Sequence, residues 1–303
     1  MGIVDEGIED VVKAWGVKRS PALDFSTATG IVSLDREIGG ALPAGAIEIY
    51  GPASAGKTSL LYEIVGTAQR AGLAAALCPT EYLDIPYMRV FDIDLNRLLL
   101  ITGNYGEDVL AGACKFLELH QDVPCILAID SATSMRPKED EFGEWNLMVD
   151  TFLEVALPFL GRGSCIVMTN QIRTRRSIKP DKFFVDGDID SAARKIIDRF
   201  STRLELSRTE VTDHTFTMQV NVVANVYSRP ASIISLPFVK GSGVDTLRDL
   251  IRVARDAGVI VQAGPWYMWG DESLGRGEGE ATAILEMNPE LARVILDEVQ
   301  QRA

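Results

Sequence analysis

The chain has 303 residues, 47% hydrophobic and 24% charged, and its 30 lysines and arginines stand against 43 aspartates and glutamates for a formal net charge of −13. That length and apolar content suit a sizeable α/β core with one appended small domain, and they exclude a largely disordered protein. The acidic balance excludes a surface that grips nucleic acid everywhere, since phosphate affinity comes from lysine and arginine; any such contact must be local.

Residues 1–30 hold a short helical pattern, Ile8, Val11, Val12 and Trp15, followed by Pro21 and a Ser/Thr-rich stretch, and are expected to form an arm. No apolar run approaches the roughly 20 residues that span a bilayer, and the first residues lack a basic region followed by an apolar one. A cytoplasmic protein with no membrane partner is the expectation. Cys78, Cys114, Cys125 and Cys165 form no CxxC pair and are expected to be reduced core residues.

From about residue 44, apolar runs alternate with helical patterns: Ala46 to Tyr50, a helix from Lys57, Ala74 to Cys78, Leu98 to Thr102, a helix near 107–120, and Cys125 to Asp130. That alternation predicts βαβ units and a mainly parallel, twisted sheet flanked by helices. A helix near 145–160 precedes another apolar strand, Cys165 to Thr169. Runs at 202–208, 216–224 and 232–237 alternate apolar with polar residues and are expected to extend the sheet as an antiparallel edge. The predicted core is 31–238. A small α+β domain is expected over 239–303, with a helix near 245–257, the aromatic segment Trp266-Tyr267-Met268-Trp269 and a last helix after Asn288-Pro289.

Gly51-Pro52-Ala53-Ser54-Ala55-Gly56-Lys57-Thr58 fits G-x-x-x-x-G-K-[ST], between an apolar strand and a helical pattern. Glycines let successive backbone N–H groups close around phosphate oxygens, and the helix beginning there adds the positive end of its dipole. ATP is the expected ligand, with Ser59 continuing the loop's contacts. Lys57 would reach the β- and γ-phosphates and Thr58 would ligate Mg²⁺.

Asp130 ends an apolar strand, so its carboxylate is expected at the sheet edge where α/β ligands bind, holding the metal partly through water. An aspartate in that position is otherwise a turn or capping residue. Glu81 follows the strand Ala74 to Cys78 and would reach the same edge, where a carboxylate orients and deprotonates the attacking water; the alternative is a solvated loop acid. Asn170-Gln171 ends a further strand, where a neutral amide would sense the γ-phosphate, or simply cap. Behind it come Arg173, Arg175, Arg176, Lys179 and Lys182, then Phe183-Phe184, in an otherwise acidic chain. Cations beside rings suit single-stranded DNA, pairing phosphates while a ring stacks on bases; a solvated basic loop is the alternative.

Read in order, these segments resemble the bacterial RecA recombinase family over nearly the whole chain. Ser33-Leu34-Asp35-Arg36-Glu37-Ile38-Gly39-Gly40, Leu42-Pro43-Ala44-Gly45 and Glu48-Ile49-Tyr50-Gly51-Pro52 are similar to the family's approach to its phosphate loop. Asp130-Ser131 and Asn170-Gln171-Ile172-Arg173 are similar to its Walker B strand end and second DNA loop. Gly264-Pro265-Trp266-Tyr267, Gly275-Arg276-Gly277, Ala281-Thr282-Ala283 and Asn288-Pro289-Glu290 resemble its C-terminal domain.

The resemblance implies a RecA-type P-loop ATPase core, Glu81 as catalytic glutamate, Gln171 as the residue coupling ATP to DNA, and Asp84 with Tyr87 beside the adenine. It further implies a DNA-dependent ATPase that assembles as a helical filament on single-stranded DNA, with ATP between subunits, and pairs that strand with homologous duplex in DNA recombination and repair. A divergent, shortened recombinase, of phage or accessory-genome type, is one expectation. The other is a paralogue that binds ATP and DNA or a partner protein as a regulator without strand exchange. A ring helicase or circadian-type ATPase would lack the segment 241–303.

Several positions depart from the family's pattern. Where it carries two lysines that reach the neighbouring subunit's γ-phosphate, this chain aligns Ala224 and Val226. Either another group, such as Arg229, or a bound cation substitutes, or hydrolysis is slow. The first DNA loop, about Glu139 to Asn146, is short and acidic, with Phe142 and Trp145 as its candidate base contacts. By the resemblance, a shortened arm, an interface aromatic replaced near Asp198 and a last helix not followed by the family's acidic tail are expected.

Overall fold

The apolar runs that show no alternation become strands buried on both faces. In the computed structural model, which describes residues 27–139, 143–160, 163–171, 196–226 and 232–302, β1 (Gly45–Gly51), β2 (Ala74–Pro79), β3 (Leu98–Leu100), β4 (Cys125–Asp130) and β5 (Cys165–Gln171) lie parallel. Their order is β3-β2-β4-β5-β1. Successive side chains divide between two layers. Ile47 and Ile49 of β1, with Ile126 and Ala128 of β4, pack under the helix Lys57–Arg70, which buries Leu60, Leu61, Ile64 and Val65. Ala46, Leu127 and Ile129 face the other way, against the helices Gly106–Leu119 and Glu144–Ala156 through Val109, Phe116, Val149 and Phe152. Each such large aliphatic side chain contributes about 1.5–3 kcal/mol by leaving water.

The three alternating runs become β6 (Phe200–Thr209), β7 (Thr215–Asn225) and β8 (Ile233–Val239), with a two-residue β9 (Gly243–Val244) completing a nine-stranded sheet. One face of this extension is buried through Leu204, Leu206, Val220, Val222 and Leu236. The other is polar, and Gln219 Nε2 there donates to Ser235 Oγ at 2.9 Å. The expected antiparallel edge is corrected in one respect: β6 joins β1 in parallel, and antiparallel pairing begins only at β7. A parallel neighbour needs a long crossover, and the interval between β5 and β6 supplies one, whereas a short turn joins β6 to β7.

A third core gathers the helices Thr246–Asp256, Gly277–Met287 and Pro289–Arg302 around the antiparallel strands β10 (Ile260–Ala263), β11 (Trp266–Trp269) and β12 (Glu272–Arg276). Asp245 caps the first helix by accepting from Arg248 N at 3.0 Å. Arg252 Nε donates to Glu278 Oε1 at 2.8 Å, tying the first helix to the second. This unit meets the short helix Val32–Glu37 where Asp249, 3% exposed, accepts from Ser33 N and Oγ at 3.0 and 2.6 Å. Beside it, burial pushes the Asp35 carboxyl up to about 7, and the charge of Asp249 adds to that rise; bonds from Thr29 and Gly30 oppose it. No helix among the described residues is long and apolar enough to cross a membrane.

Candidate active site

The phosphate loop spans the gap between the end of β1 and the helix that opens at Lys57, and its shape depends on two glycines. A Cβ on Gly51 would collide with the Leu206 carbonyl oxygen of β6. Gly56 sits at φ +95°, and a Cβ there would strike the end of Met218 and lie 3.3 Å from Phe238 Cε2. The loop therefore rests on a floor made by β7 and β8, where Phe216 and Phe238 stack with centroids 4.2 Å apart. No side chain caps the helix at Gly56. Backbone N–H groups at such an end suit an anion.

Lys57 Nζ donates to the carbonyls of Pro52 at 2.8 Å and Gly51 at 3.2 Å. Burial lowers the lysine's pKa, and the nearby carboxylates of Asp130 and Glu81 oppose that. Asp130 stands 8% exposed at the end of β4, and Thr169 Oγ1 donates to its Oδ1 at 2.6 Å. Burial pushes its carboxyl up; the bonds from Thr169 and Thr58 hold it down, Glu81 adds to the rise and Lys57 opposes it.

Glu81 follows β2 directly, and its backbone neighbour is locked to β4. Thr80 Oγ1 donates to Ser131 O at 2.6 Å and accepts from Ser131 N at 2.8 Å. Glu81 Oε1 then accepts from Ser131 Oγ at 3.0 Å and from Ser134 Oγ at 2.7 Å. Gln171 ends β5 in register with Gly51, and its N–H donates to Thr133 Oγ1 at 3.2 Å.

A cavity of about 460 Å³ opens at this edge, lined among others by Lys57, Thr58, Ser59, Glu81, Tyr87 and Asp130. Ala53, Ser54, Gly56 and Gln171 also border it. Gly51 and Ala55 are buried in its frame, and Pro52 contributes the carbonyl that Lys57 holds. Tyr87 OH and Ser59 Oγ share a hydrogen bond at 2.6 Å, and the Tyr87 ring packs edge-on to Phe91 at 5.0 Å. Asp84 is spent on capping the helix Ile85–Arg89, accepting from Tyr87 N at 3.0 Å, and so fixes the tyrosine's position. The volume lies within the range of small-molecule sites.

The structure separates the adjoining amides. Gln171 borders the cavity, whereas Asn170, 4% exposed, donates from Nδ2 to Glu48 Oε1 at 2.5 Å. Trp145 is corrected as a base contact: it is 5% exposed, and its Nε1 donates to Ala132 O at 2.8 Å, because the amphipathic helix Glu144–Ala156 turns it into the core. Arg173, Arg175, Arg176, Lys179, Lys182, Phe183, Phe142 and Arg229 lie outside the described residues. Ala224 is half-buried opposite Arg203 near the end of β7, and Val226 just beyond is 63% exposed.

Phe216, Phe238, Lys240 and Gly241 also line the cavity, and sequence reasoning does not single them out. Alternation along β7 and β8 predicts a buried face holding Phe216, Met218 and Phe238, but not that this face lies beneath Gly56. Lys240, just beyond β8, is held by the turn between β6 and β7, with Nζ donating to Thr212 O at 2.7 Å.

The Thr58 hydroxyl and Asp130 carboxylate, both lining the cavity, are hard oxygen donors of the kind Mg²⁺ prefers. Among the described residues no cluster of histidine, cysteine and carboxylates forms a separate metal site.

The chain matches the RecA N-terminal domain over residues 7–245 and the RecA C-terminal domain over residues 248–303. It is similar to the protein RecA of Cereibacter sphaeroides, 29% identical over 299 residues that cover 93% of this chain and 85% of the relative. The Deinococcus radiodurans protein RecA is 29% identical over 292 residues, covering 90% and 78% of the two chains. That of Brucella anthropi is 28% identical over 327 residues, covering 99% and 88%. These relatives are bacterial, and they lend no support to a phage origin.

Proposed function

Because the chain belongs to the RecA family, we propose that it is a DNA-dependent ATPase that forms helical filaments on single-stranded DNA and pairs that strand with homologous duplex. The observation that carries this reading is the meeting of Lys57, Thr58, Glu81, Asp130 and Gln171 at one cavity, the last opening the basic segment that runs to about Ser191. The loop N–H groups and the helix start would bind the phosphates, and Lys57 would exchange its carbonyl partners for phosphate oxygens. Thr58 and Asp130 would hold Mg²⁺, partly through water; when bound, the ion neutralises charge on the β- and γ-phosphates. Glu81, anchored through Oε1, would use its other oxygen to take a proton from the attacking water. Tyr87 would lie beside the base, with Asp84 setting its place. Gln171 would report the γ-phosphate to the segment carrying Arg173, Arg175, Arg176, Lys179, Lys182 and Phe183.

A second reading is favoured by Ala224 and Val226, which bring no cation to the places where the family's subunit interface carries lysines. In that reading the chain binds ATP and DNA, or a partner protein, as a regulator without exchanging strands. Filament formation on single-stranded DNA with ATP, seen by electron microscopy and followed by a strand-exchange assay, separates the two. Filaments with exchange support the recombinase; filaments without exchange support the regulator.

A further inference from the structure

Three hydroxyls just beyond β4 stand between Glu81 and Gln171, and the carboxylate end sets the direction of their protons. Gln171 N–H can only donate, and it does so to Thr133 Oγ1 at 3.2 Å. Thr133 Oγ1 lies 3.2 Å from Ser131 Oγ, which lies 2.9 Å from Ser134 Oγ. Ser134 Oγ donates to Glu81 Oε1 at 2.7 Å, and Ser131 Oγ reaches the same oxygen at 3.0 Å. A hydroxyl carries one proton, and an ionised carboxylate can only accept. Ser131 and Ser134 each direct their one proton to the carboxylate, so Thr133 donates to Ser131 Oγ while accepting from Gln171 N–H, and the protons of this row run from Gln171 towards Glu81. Hydrogen bonds aligned in this way polarise and strengthen one another.

We infer that Thr133, acting through Ser131 and Ser134, is a positioning residue that couples the charge state of Glu81 to the backbone of Gln171, where the chain enters its basic segment. The inference rests on the reading of Glu81 as general base and Gln171 as coupling residue. When Glu81 takes up a proton it becomes a weaker acceptor, so the row loosens from the carboxylate end. The loosened bond at the far end is the one holding Gln171 N. Ser131 is 3% exposed, and the Thr80 bonds at 2.6 and 2.8 Å to its backbone hold the peptide at the middle of the row in place. The same row works in reverse: a displacement of Gln171 by the segment behind it alters the donors that hold Glu81.

The test uses the full chain and measures kcat and KM for ATP with and without single-stranded DNA. Thr133→Val keeps the shape and removes the hydroxyl. It is expected to leave KM for ATP within about twofold while lowering the ratio of DNA-stimulated to DNA-free kcat by about tenfold, the scale of one hydrogen bond. Thr133→Ser, which retains the hydroxyl, restores the ratio. Ser134→Ala, on the exposed side, is expected to lower kcat several-fold with KM unchanged, and it reads the row even where the valine variant is unstable. Unchanged ratios in Thr133→Val overturn the inference, as does a Thr133→Ser variant as impaired as the valine one. Turnover unaffected by Glu81→Gln overturns the underlying reading instead, and the coupling with it.

Discussion

Arg203 Nε donates to Glu48 Oε2 at 2.6 Å across the parallel pair β1 and β6, and Glu48 is 1% exposed. The guanidinium carbon also sits 4.8 Å from the Tyr50 ring centroid, and Asn170 Nδ2 takes the other Glu48 oxygen. The cluster places an ion pair at the centre of the sheet, its carboxylate satisfied on both sides. Removing one partner leaves an uncompensated buried charge, so Arg203→Ala is expected to destabilise the chain by about 3–5 kcal/mol. Glu48→Leu combined with Arg203→Met removes both charges and should cost less, about 1–3 kcal/mol, the remainder being the buried Asn170 amide left without its acceptor. Urea denaturation of the single and double variants checks both.

At the phosphate loop, Lys57→Ala is expected to abolish productive ATP binding, and Glu81→Gln to spare binding while slowing hydrolysis by about 10²- to 10⁴-fold. Binding by isothermal titration, alongside steady-state turnover, separates the two effects. A Glu81→Gln variant that hydrolyses ATP at the wild-type rate would show that another group takes the proton.

Much of this arrangement is legible in the sequence, for physical reasons. A strand buried on both faces is an unbroken apolar run, so β1, β2, β4 and β5 stand out, and their ends name Gly51, Glu81, Asp130 and Gln171 as neighbours at one edge. The half-buried strands are equally visible, because Leu204, Leu206, Val220 and Val222 alternate with polar residues. Alternation carries no information about strand direction, and so it hides the parallel pairing of β6. Trp145 misleads because a ring in a short acidic segment looks available until the helix Glu144–Ala156 turns it inward onto Ala132 O. Helix Gly277–Met287 and the small sheet β10–β12 lack strong periodicity, and Phe216, Phe238 and Lys240 enter the site through tertiary packing alone.

The joint between the helix Val32–Glu37 and the C-terminal unit should respond to pH. The Asp35 carboxyl is pushed by burial from its ordinary value of 3.8 up to about 7, so its folded-state pKa lies above its unfolded one. The stability it contributes is therefore fully present below about 3.8 and lost as pH rises through about 7. Asp35→Asn keeps the acceptor for Thr29 N and removes the titration. Between pH 5.5 and 8.5 the wild-type Tm should fall by roughly 4–8 °C more than that of the variant, the scale of about 2 kcal/mol for the roughly 1.5 pH units below the folded-state value. Equal falls in thermal melts would show that Asp35 does not set the pH response.

The basic segment supplies a salt signature. Replacing Arg173, Arg175 and Arg176 together by alanine should weaken single-stranded DNA binding and flatten the dependence of log K on log salt by about 2, at roughly 0.7 for each phosphate no longer neutralised. Fluorescence anisotropy across a salt series measures it, and an unchanged slope would move the DNA contact elsewhere.

The absent lysines make a gain-of-function prediction. Ala224→Lys together with Val226→Lys should raise ATP turnover on filaments by at least tenfold, if cations at these positions reach a neighbour's phosphate, since cations supplied from across an interface accelerate phosphoryl transfer by roughly 10³ to 10⁵. Rates at a concentration too low for assembly should not change. An acceleration independent of assembly would place the new charges on the chain's own site.

Gln171 is the point at which a cavity that binds ATP would pass its state to DNA, and the whole functional reading turns on that link. The most direct test is ATP turnover measured with and without single-stranded DNA, for the wild-type chain and for Gln171→Ala. Turnover is expected to rise with DNA in the wild type, while Gln171→Ala still binds ATP but no longer responds to DNA. Turnover indifferent to DNA in the wild type, or a Gln171→Ala variant stimulated as strongly, would contradict it.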